Sequence, residues 1–243
     1  MENSGNRRQG LNVKLISKTA DGELVSALAA KLCYSASDID GLLEKISSQE
    51  QSDFIHKIVS MGHHSVLEHL NFTFGVEGVS RALTHQLVRH RIASYSQKSQ
   101  RYVKHGNEFE YITPHTVAEN PELLAEYEKA MAEIGKAYDV LLKAGVPAED
   151  ARYVLPNACE TKIIITMNAR ELLHYFSIRC CERAQWEIRE MSFEMLKLCR
   201  KEAPSIFGNA GPGCVRGACP EGQFTCGKAK QIREKFTNIK NFL

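Results

Sequence analysis

Thirty consecutive residues in the middle of this 243-residue chain carry no acid. Between Glu77 and Glu108 there is no Asp or Glu, while Arg81, Arg89, Arg91, Lys98, Arg101 and Lys104 all fall there, with His85, His90 and His105 among them. The stretch holds +6 in a chain whose formal net charge is +2, so the rest sums to −4. Guanidinium and ammonium groups repel one another and are rarely buried unpaired. The fold must therefore present this segment to water, to carboxylates from elsewhere, or to an anion held at one place.

The remaining composition is ordinary. Hydrophobic residues make up 43% and charged residues 25%, values of a globular chain with a sizeable core. No apolar run approaches the ~20 residues of a membrane helix. Residues 1–10 are polar and lack the apolar core of an export signal. They are expected to be a disordered tail, and the protein is expected to be cytoplasmic, with no membrane partner. Of eight cysteines, Cys33, Cys159, Cys180, Cys181 and Cys199 lie in apolar or helical surroundings and are expected to be core thiols. Cys214, Cys219 and Cys226 lie in a Gly/Pro-rich tail, and a disulfide framework is not expected.

Periodicity predicts strands at 11–17, 71–77 and 161–167, the last (TKIIITM) being the most β-branched stretch. Helices are expected at 22–34, from a cap at Ser37 or Asp38 through Ile46, at 50–61, from a cap at Ser80 onward, at 121–144, 147–153, 170–181, 185–202 and 228–236. Gly62 breaks the third of these, and Ser65 is placed to cap a short turn through Glu68 and His69. On the helix after Ser80, residues Arg81, His85 and Arg89 recur every four positions and so share a face. Residues 94–99 are polar and expected to be a loop, followed by an extended piece near Arg101. The expectation is one α/β (α+β) domain, a small mostly antiparallel sheet flanked by several helices.

The basic segment admits three readings. The bland one is a solvated face. The second is a nucleic-acid module on residues 78–107, with Tyr95 and Tyr102 stacking bases between arginines; an overall pI near 8.1 and the absence of a strongly basic tail speak against it. The third is a compact pocket for small phosphorylated ligands, where guanidinium forks and small hydroxyls grip phosphate oxygens. A second polar set, Asn168, Arg170, His174 and Arg179, at the end of a buried strand and along the next helix, favours the third, as does Arg152.

The run Arg89-His90-Arg91, then Ser94, Ser99 and Arg101, fits the pattern RHRxxSxxxxSxR and resembles the flavin-dependent thymidylate synthases. Gly62-His63 with Glu68-His69 before Phe72-Thr73-Phe74, the RxxLP-like element at Arg152–Pro156, Asn168-Ala169-Arg170, and Arg179 followed by Ala184-Gln185-Trp186-Glu187 resemble further blocks of that family. The similarity spans roughly residues 12–205. It implies a catalytic domain at 11–205 of the thymidylate synthase-complementing type, followed by a Cys/Gly-rich extension at 206–243 with a short basic helix.

The resemblance implies conversion of dUMP to dTMP, with methylenetetrahydrofolate as one-carbon donor and FAD, reduced by NADPH, as hydride source. It implies a homotetramer with sites shared between subunits, and no nucleic-acid partner. By position, Gln86, Arg89, Gln97, Ser99, Arg101, Arg152 and Arg179 resemble the dUMP-binding set. His63, Ser65, Glu68, Arg89, His90, Arg91, Ile92, Ser96, Gln97, Asn168, Arg170 and His174 resemble the FAD-binding set. Arg179 and Ser99 resemble the catalytic positions, Arg179 at the uracil carbonyl, where a fixed cation stabilises developing negative charge, and Ser99 in positioning rather than covalent attack. No cysteine lies in the basic cluster to supply the nucleophile that flavin-free thymidylate synthases use. Ser96-Gln97 stand where many relatives have Asn-Glu, so any contact of Gln97 is a neutral hydrogen bond. His174 stands where others have Asn, and Arg183 where others have His.

Two weaker signals remain. His63, His64, Glu68 and His69 lack the spacing of a zinc motif. Cys214, Cys219 and Cys226 are irregularly spaced, and a metal there would need a fourth ligand such as Cys199 or one from a second subunit. No metal is expected, and the tail's Lys228, Lys230, Arg233 and Lys235 read as a solvated helix face.

Overall fold

The computed structural model describes residues 10–104 and 109–237. The expected tail, apart from Gly10, and His105 lie outside the described residues, as does the end of the C-terminal extension.

The chain opens with strand β1 (Asn12–Lys18), then α1 (Gly22–Leu32), α2 (Ile39–Ser47) and α3 (Ser52–Ser60). Asp38, not Ser37, caps α2, its carboxylate accepting from the Gly41 N–H at 2.9 Å. Gly62, at φ 78, follows α3 in the left-handed region that stops a helix at little cost. Residues His64–His69 form a 3-10 turn in which Ser65 is not the cap. Strand β2 (Asn71–Ser80) runs into α4 (Arg81–Leu87), capped by the Ser80 hydroxyl at 3.0 Å from the Leu83 N–H.

Three expectations fail here. The α4 helix ends at Leu87, so Arg89 lies past its C-terminus and is not on a helical face with Arg81 and His85. Most of the loop expected at 94–99 is instead strand, β3 running over Ala93–Gln97. The piece around Arg101 is also not extended; it turns, with the Val103 N–H donating to the Ser99 carbonyl at 3.1 Å.

The second half contains α5 (His115–Ala118), α6 (Pro121–Lys143), α7 (Ala148–Ala151), β4 (Glu160–Asn168), α8 (Ala169–Arg179), α9 (Trp186–Glu202), α10 (Pro204–Phe207) and α11 (Ala229–Thr237). The four strands make one small antiparallel sheet in the order β1-β2-β4-β3. Along β4, Thr161, Ile163, Ile165 and Met167 are buried while Lys162 and Ile164 face out, the period-2 signature that betrayed the strand.

The chain groups into two compact units. The first comprises residues up to Asn12, Val76–Arg89 and Tyr95–Ile164. Its core clusters Phe109, Met131 and Cys159, with Tyr111 and Tyr127 packed against them. The second comprises Val13–Gly75, His90–Ser94 and Ile165 onward. Its core is aromatic: Phe72 stands edge-on to Phe207 at 5.6 Å, and Phe207 edge-on to Phe176 at 6.0 Å. Each fully buried ring of this kind contributes about 1.5–3 kcal/mol relative to exposure. Here α1 approaches the 3-10 turn so closely that a side chain at Gly22 would collide with Leu70.

Candidate functional site

In the first unit, β3 and the turn after it meet α4 and α7. Arg101 reaches across to α7: its Nε and Nη2 lie 2.8 and 2.7 Å from one oxygen of Glu149. That hydrogen bond and charge push the Arg101 guanidinium's pKa up. Arg152 closes the same corner, its Nε donating to the Glu149 carbonyl at 3.1 Å. Arg81 stands close enough to Arg152 to feel its charge; burial first, then that neighbour, lowers its pKa. Arg101 is thus paired to the Glu149 carboxylate and Arg152 to its backbone carbonyl, with Arg81 within electrostatic reach of Arg152, and guanidinium forks gathered in this way are chemistry suited to a phosphate.

Gln97 is more structural than its sequence position implied. Its amide nitrogen donates to Thr84 Oγ1 at 3.1 Å and to Thr161 Oγ1 at 3.2 Å, tying β3 to α4 and β4. Ser99 Oγ accepts from the Arg101 N–H at 3.2 Å, a turn-forming role that fits positioning. Gln86 is half-buried, and Arg89 and Ser96 are exposed.

In the second unit the centre is His90, only 5% exposed. Its Nε2 accepts from Arg179 Nε at 3.0 Å. That bond fixes the tautomer: the ring proton sits on Nδ1 and is donated to Glu171 Oε1 at 3.2 Å. Burial, then the charges of Arg179 and His174, pull the His90 pKa down to about 4, so the ring is neutral near pH 7. Burial raises the Glu171 pKa, which suits a carboxyl facing a neutral imidazole N–H. Tyr175 stands edge-on to His90 at 4.9 Å, and His174 at 6.1 Å.

Around this buried centre the exposed groups are mostly cationic or neutral, Glu68 being the acid among them. Arg91, Ile92, His63, Ser65 and His174 face solvent. Arg170 pairs with Glu68 rather than reaching His174. Asn168 caps α8, its Oδ1 accepting from the Glu171 N–H at 2.9 Å. The flavin-set residues His63, Ser65, Glu68, His90, Arg91, Ile92, Asn168, Arg170 and His174, together with Arg179, therefore belong to this unit. Gln86, Arg89, Ser96, Gln97, Ser99, Arg101 and Arg152 belong to the other.

Sequence reasoning named Glu68 but missed two further acids, Glu149 and Glu171. Glu149, Glu171 and Glu68 supply the counter-charge or hydrogen-bond partners that the acid-free segment and its companions lack locally. Glu149 and Glu171 carry no local signal, because their partners Arg101 and His90 lie far away in the chain. Arg233 is not a merely solvated residue either, since it donates to the Cys214 and Gly217 carbonyls at 2.7 and 2.6 Å. Cys33 is exposed rather than a core thiol. The thiol that shares an electrostatic environment with Cys214, Cys219 and Cys226 is Cys181, whereas Cys199 is fully buried near Cys180. Among the described residues no group of three or more His, Cys, Asp or Glu side chains is placed to hold a metal ion. No described helix is long and apolar enough to cross a membrane.

A four-stranded antiparallel sheet with flanking helices defines an α+β protein, one of whose units carries clustered guanidiniums and the other a buried neutral histidine held by arginine. Residues 14–205 match the family described as thymidylate synthase complementing protein. The chain is 56% identical over 230 residues to the flavin-dependent thymidylate synthase of Geobacter sulfurreducens, covering 94% of this chain and 99% of that one. It is 47% identical over 244 residues to that of Clostridium tetani, covering 94% and 98%. A UMP/dUMP methylase, PolB from Streptomyces cacaoi, solved with 5-Br dUMP, shares the fold with a TM-score of 0.71 at 24% identity, over 82% of this chain and 94% of that one. The chain belongs to the thymidylate synthase complementing protein family, that of the flavin-dependent thymidylate synthases. These comparisons lend no support to the nucleic-acid reading of residues 78–107.

Proposed function

We propose that this protein is an enzyme that converts dUMP to dTMP, with methylenetetrahydrofolate as one-carbon donor, FAD as cofactor and NADPH as reductant. In this reading it acts in the cytoplasm as a homotetramer with sites shared between subunits, through a catalytic domain at 11–205 followed by the extension at 206–243. The observation that carries it is the state of Arg179: its guanidinium is oriented through Nε by an uncharged imidazole, so His90 positions it without neutralising it. A fixed, charged donor of this kind suits a pyrimidine carbonyl on which negative charge develops during attack on the methylene carbon.

The donor set also fits the cofactor. Arg91 and Arg170 offer cationic forks to a pyrophosphate, and His174 and Asn168 offer neutral hydrogen-bonding groups beside the buried His90. Bound and reduced, FAD would supply the hydride that completes the methyl group. The chain's own part is orientation and electrostatics. Arg101, Arg152 and Arg89 bind the nucleotide phosphate, Gln86 and Ser99 position the substrate, and Gln97 holds the strand that leads into the turn carrying Ser99 and Arg101.

The test is dTMP formation from dUMP and methylenetetrahydrofolate by protein loaded with FAD, with and without NADPH. Turnover with NADPH, together with visible flavin absorbance of the purified protein, is the expected result. Turnover that persists with no reductant at all, or a colourless protein indifferent to added FAD, overturns it.

A further inference from the structure

The second unit contains a cavity that the functions above leave unassigned. It is an open cleft of about 510 Å³ walled by α1, α2, α3 and the 3-10 turn that follows. That volume falls within the ~300–1,000 Å³ of small-molecule sites. Each of the three helices contributes one lysine, Lys31, Lys45 and Lys57, and among the described residues no Asp or Glu lines the cavity. Lys31 is half-buried, its Nζ 4.9 Å from the centroid of the Phe54 ring, while Lys45 and Lys57 are exposed. Tyr34 presents a second aromatic face and is 90% exposed. The wall ends at His63 and Ser65, two of the flavin-set residues.

This combination specifies a ligand class. Aromatic faces with an ammonium rim and no carboxylate fit an anion attached to an aromatic ring. Planar, bidentate capture of phosphate is the work of arginine, and among the described residues none lines the cavity. Three flexible point charges on three separate helices instead suit several carboxylates strung along a flexible chain. Among the reactants of the proposed reaction, the folate cosubstrate has that form, an aminobenzoyl ring bearing one or more γ-linked glutamates.

We propose that this cavity binds the glutamate tail of the folate cosubstrate, with Lys31, Lys45 and Lys57 as the carboxylate-binding residues. The proposal rests on the thymidylate synthase reading and refines it: affinity rises with the number of glutamates, whereas the chemistry at the pterin end does not change. Exposed ion pairs are individually worth little, so lengthening the tail from one glutamate to three is expected to lower KM on the order of tenfold at low salt. The gain should fade as salt rises, because the screening length drops from about 10 Å at 0.1 M to about 3 Å at 1 M.

The experiment compares mono- and triglutamyl methylenetetrahydrofolate on the FAD-loaded enzyme and on a Lys45→Gln/Lys57→Gln variant, whose exposed side chains leave the core intact. The expected result is a lower KM for the triglutamate with unchanged kcat, and loss of that preference in the variant with turnover on saturating monoglutamate retained. Equal KM values for the two folates in the wild type overturn the proposal while the thymidylate synthase reading stands. Weaker FAD binding by the variant with its glutamate preference intact assigns the lysines to the cofactor and overturns it equally. If no dTMP forms, that reading has failed on its own account. Direct binding of pteroylmonoglutamate and pteroyltriglutamate then decides for the cavity, equal affinities counting against it.

Discussion

Arg179 donates from Nε to His90 Nε2 across 3.0 Å, joining residues 89 positions apart in the chain. The bond makes His90 an acceptor on one nitrogen and a donor to Glu171 on the other, so a protonated ring would have to break one of its two contacts. Buried at 5% exposure, the ring is held neutral, with a pKa near 4. The relationship couples the orientation of a candidate catalytic cation to the protonation of a histidine.

Stability should therefore depend on pH in a definite direction. The folded pKa of His90 lies below its ordinary value of 6.5. Such a group stabilises the fold fully above the unfolded value and loses that contribution as pH falls toward the folded one. Between pH 6.5 and 4 the wild type should lose more stability than a His90→Gln variant, whose side chain does not titrate. Denaturation midpoints across that range measure the difference, and parallel curves would exclude a neutral, buried His90.

Arg179→Ala should cut kcat by a factor on the order of 10²–10³, the usual cost of removing one donor to a developing negative charge. FAD content, read from flavin absorbance, should change little. Arg179→Lys should restore only a small part of the rate, because a lysine offers no fixed Nε to His90. A variant that loses flavin in proportion to activity would move Arg179 from the pyrimidine to the cofactor.

Much of this architecture was legible in the sequence, for reasons that can be named. The β-branched run at 161–167, the caps at Asp38 and Ser80, and the stop at Gly62 are local signals, and each coincides with a structural boundary. The failures are long-range. Ala93–Gln97 is polar because β3 is an edge strand, paired only with β4, so no two-sided burial marked it. Arg89 was placed on a helix because its four-residue spacing continues past Leu87, where the helix in fact ends. The carboxylate that holds Arg101 comes from 48 residues away, and no periodicity announces it.

Gln97 should behave as a structural residue. Gln97→Ala removes hydrogen bonds to Thr84 and Thr161, two half-buried or buried hydroxyls on neighbouring elements. At about 1 kcal/mol each, the loss should be roughly 1–3 kcal/mol of unfolding free energy. Ser99→Ala, by contrast, removes one bond in an exposed turn and should leave stability nearly unchanged while retaining measurable turnover. Denaturant titrations of both variants check the contrast, and complete loss of activity in Ser99→Ala with intact dUMP binding would argue for a nucleophilic serine.

Glu149 offers a sharper probe of the nucleotide phosphate. Its side chain accepts from Arg101, while its backbone carbonyl, which substitution leaves in place, accepts from Arg152. Glu149→Gln therefore loosens one guanidinium and spares the other. With Arg101 no longer held, KM for dUMP should rise several-fold while kcat at saturating dUMP stays close to that of the wild type, because a positioning contact acts on binding rather than on the chemical step. The effect should vanish for deoxyuridine, which lacks the phosphate, in a binding measurement that compares the two ligands on both proteins. A lower KM in the variant would instead mean that Glu149 competes with the phosphate for Arg101, and a fall in kcat alone would place Arg101 closer to the pyrimidine than its position on the turn after β3 implies.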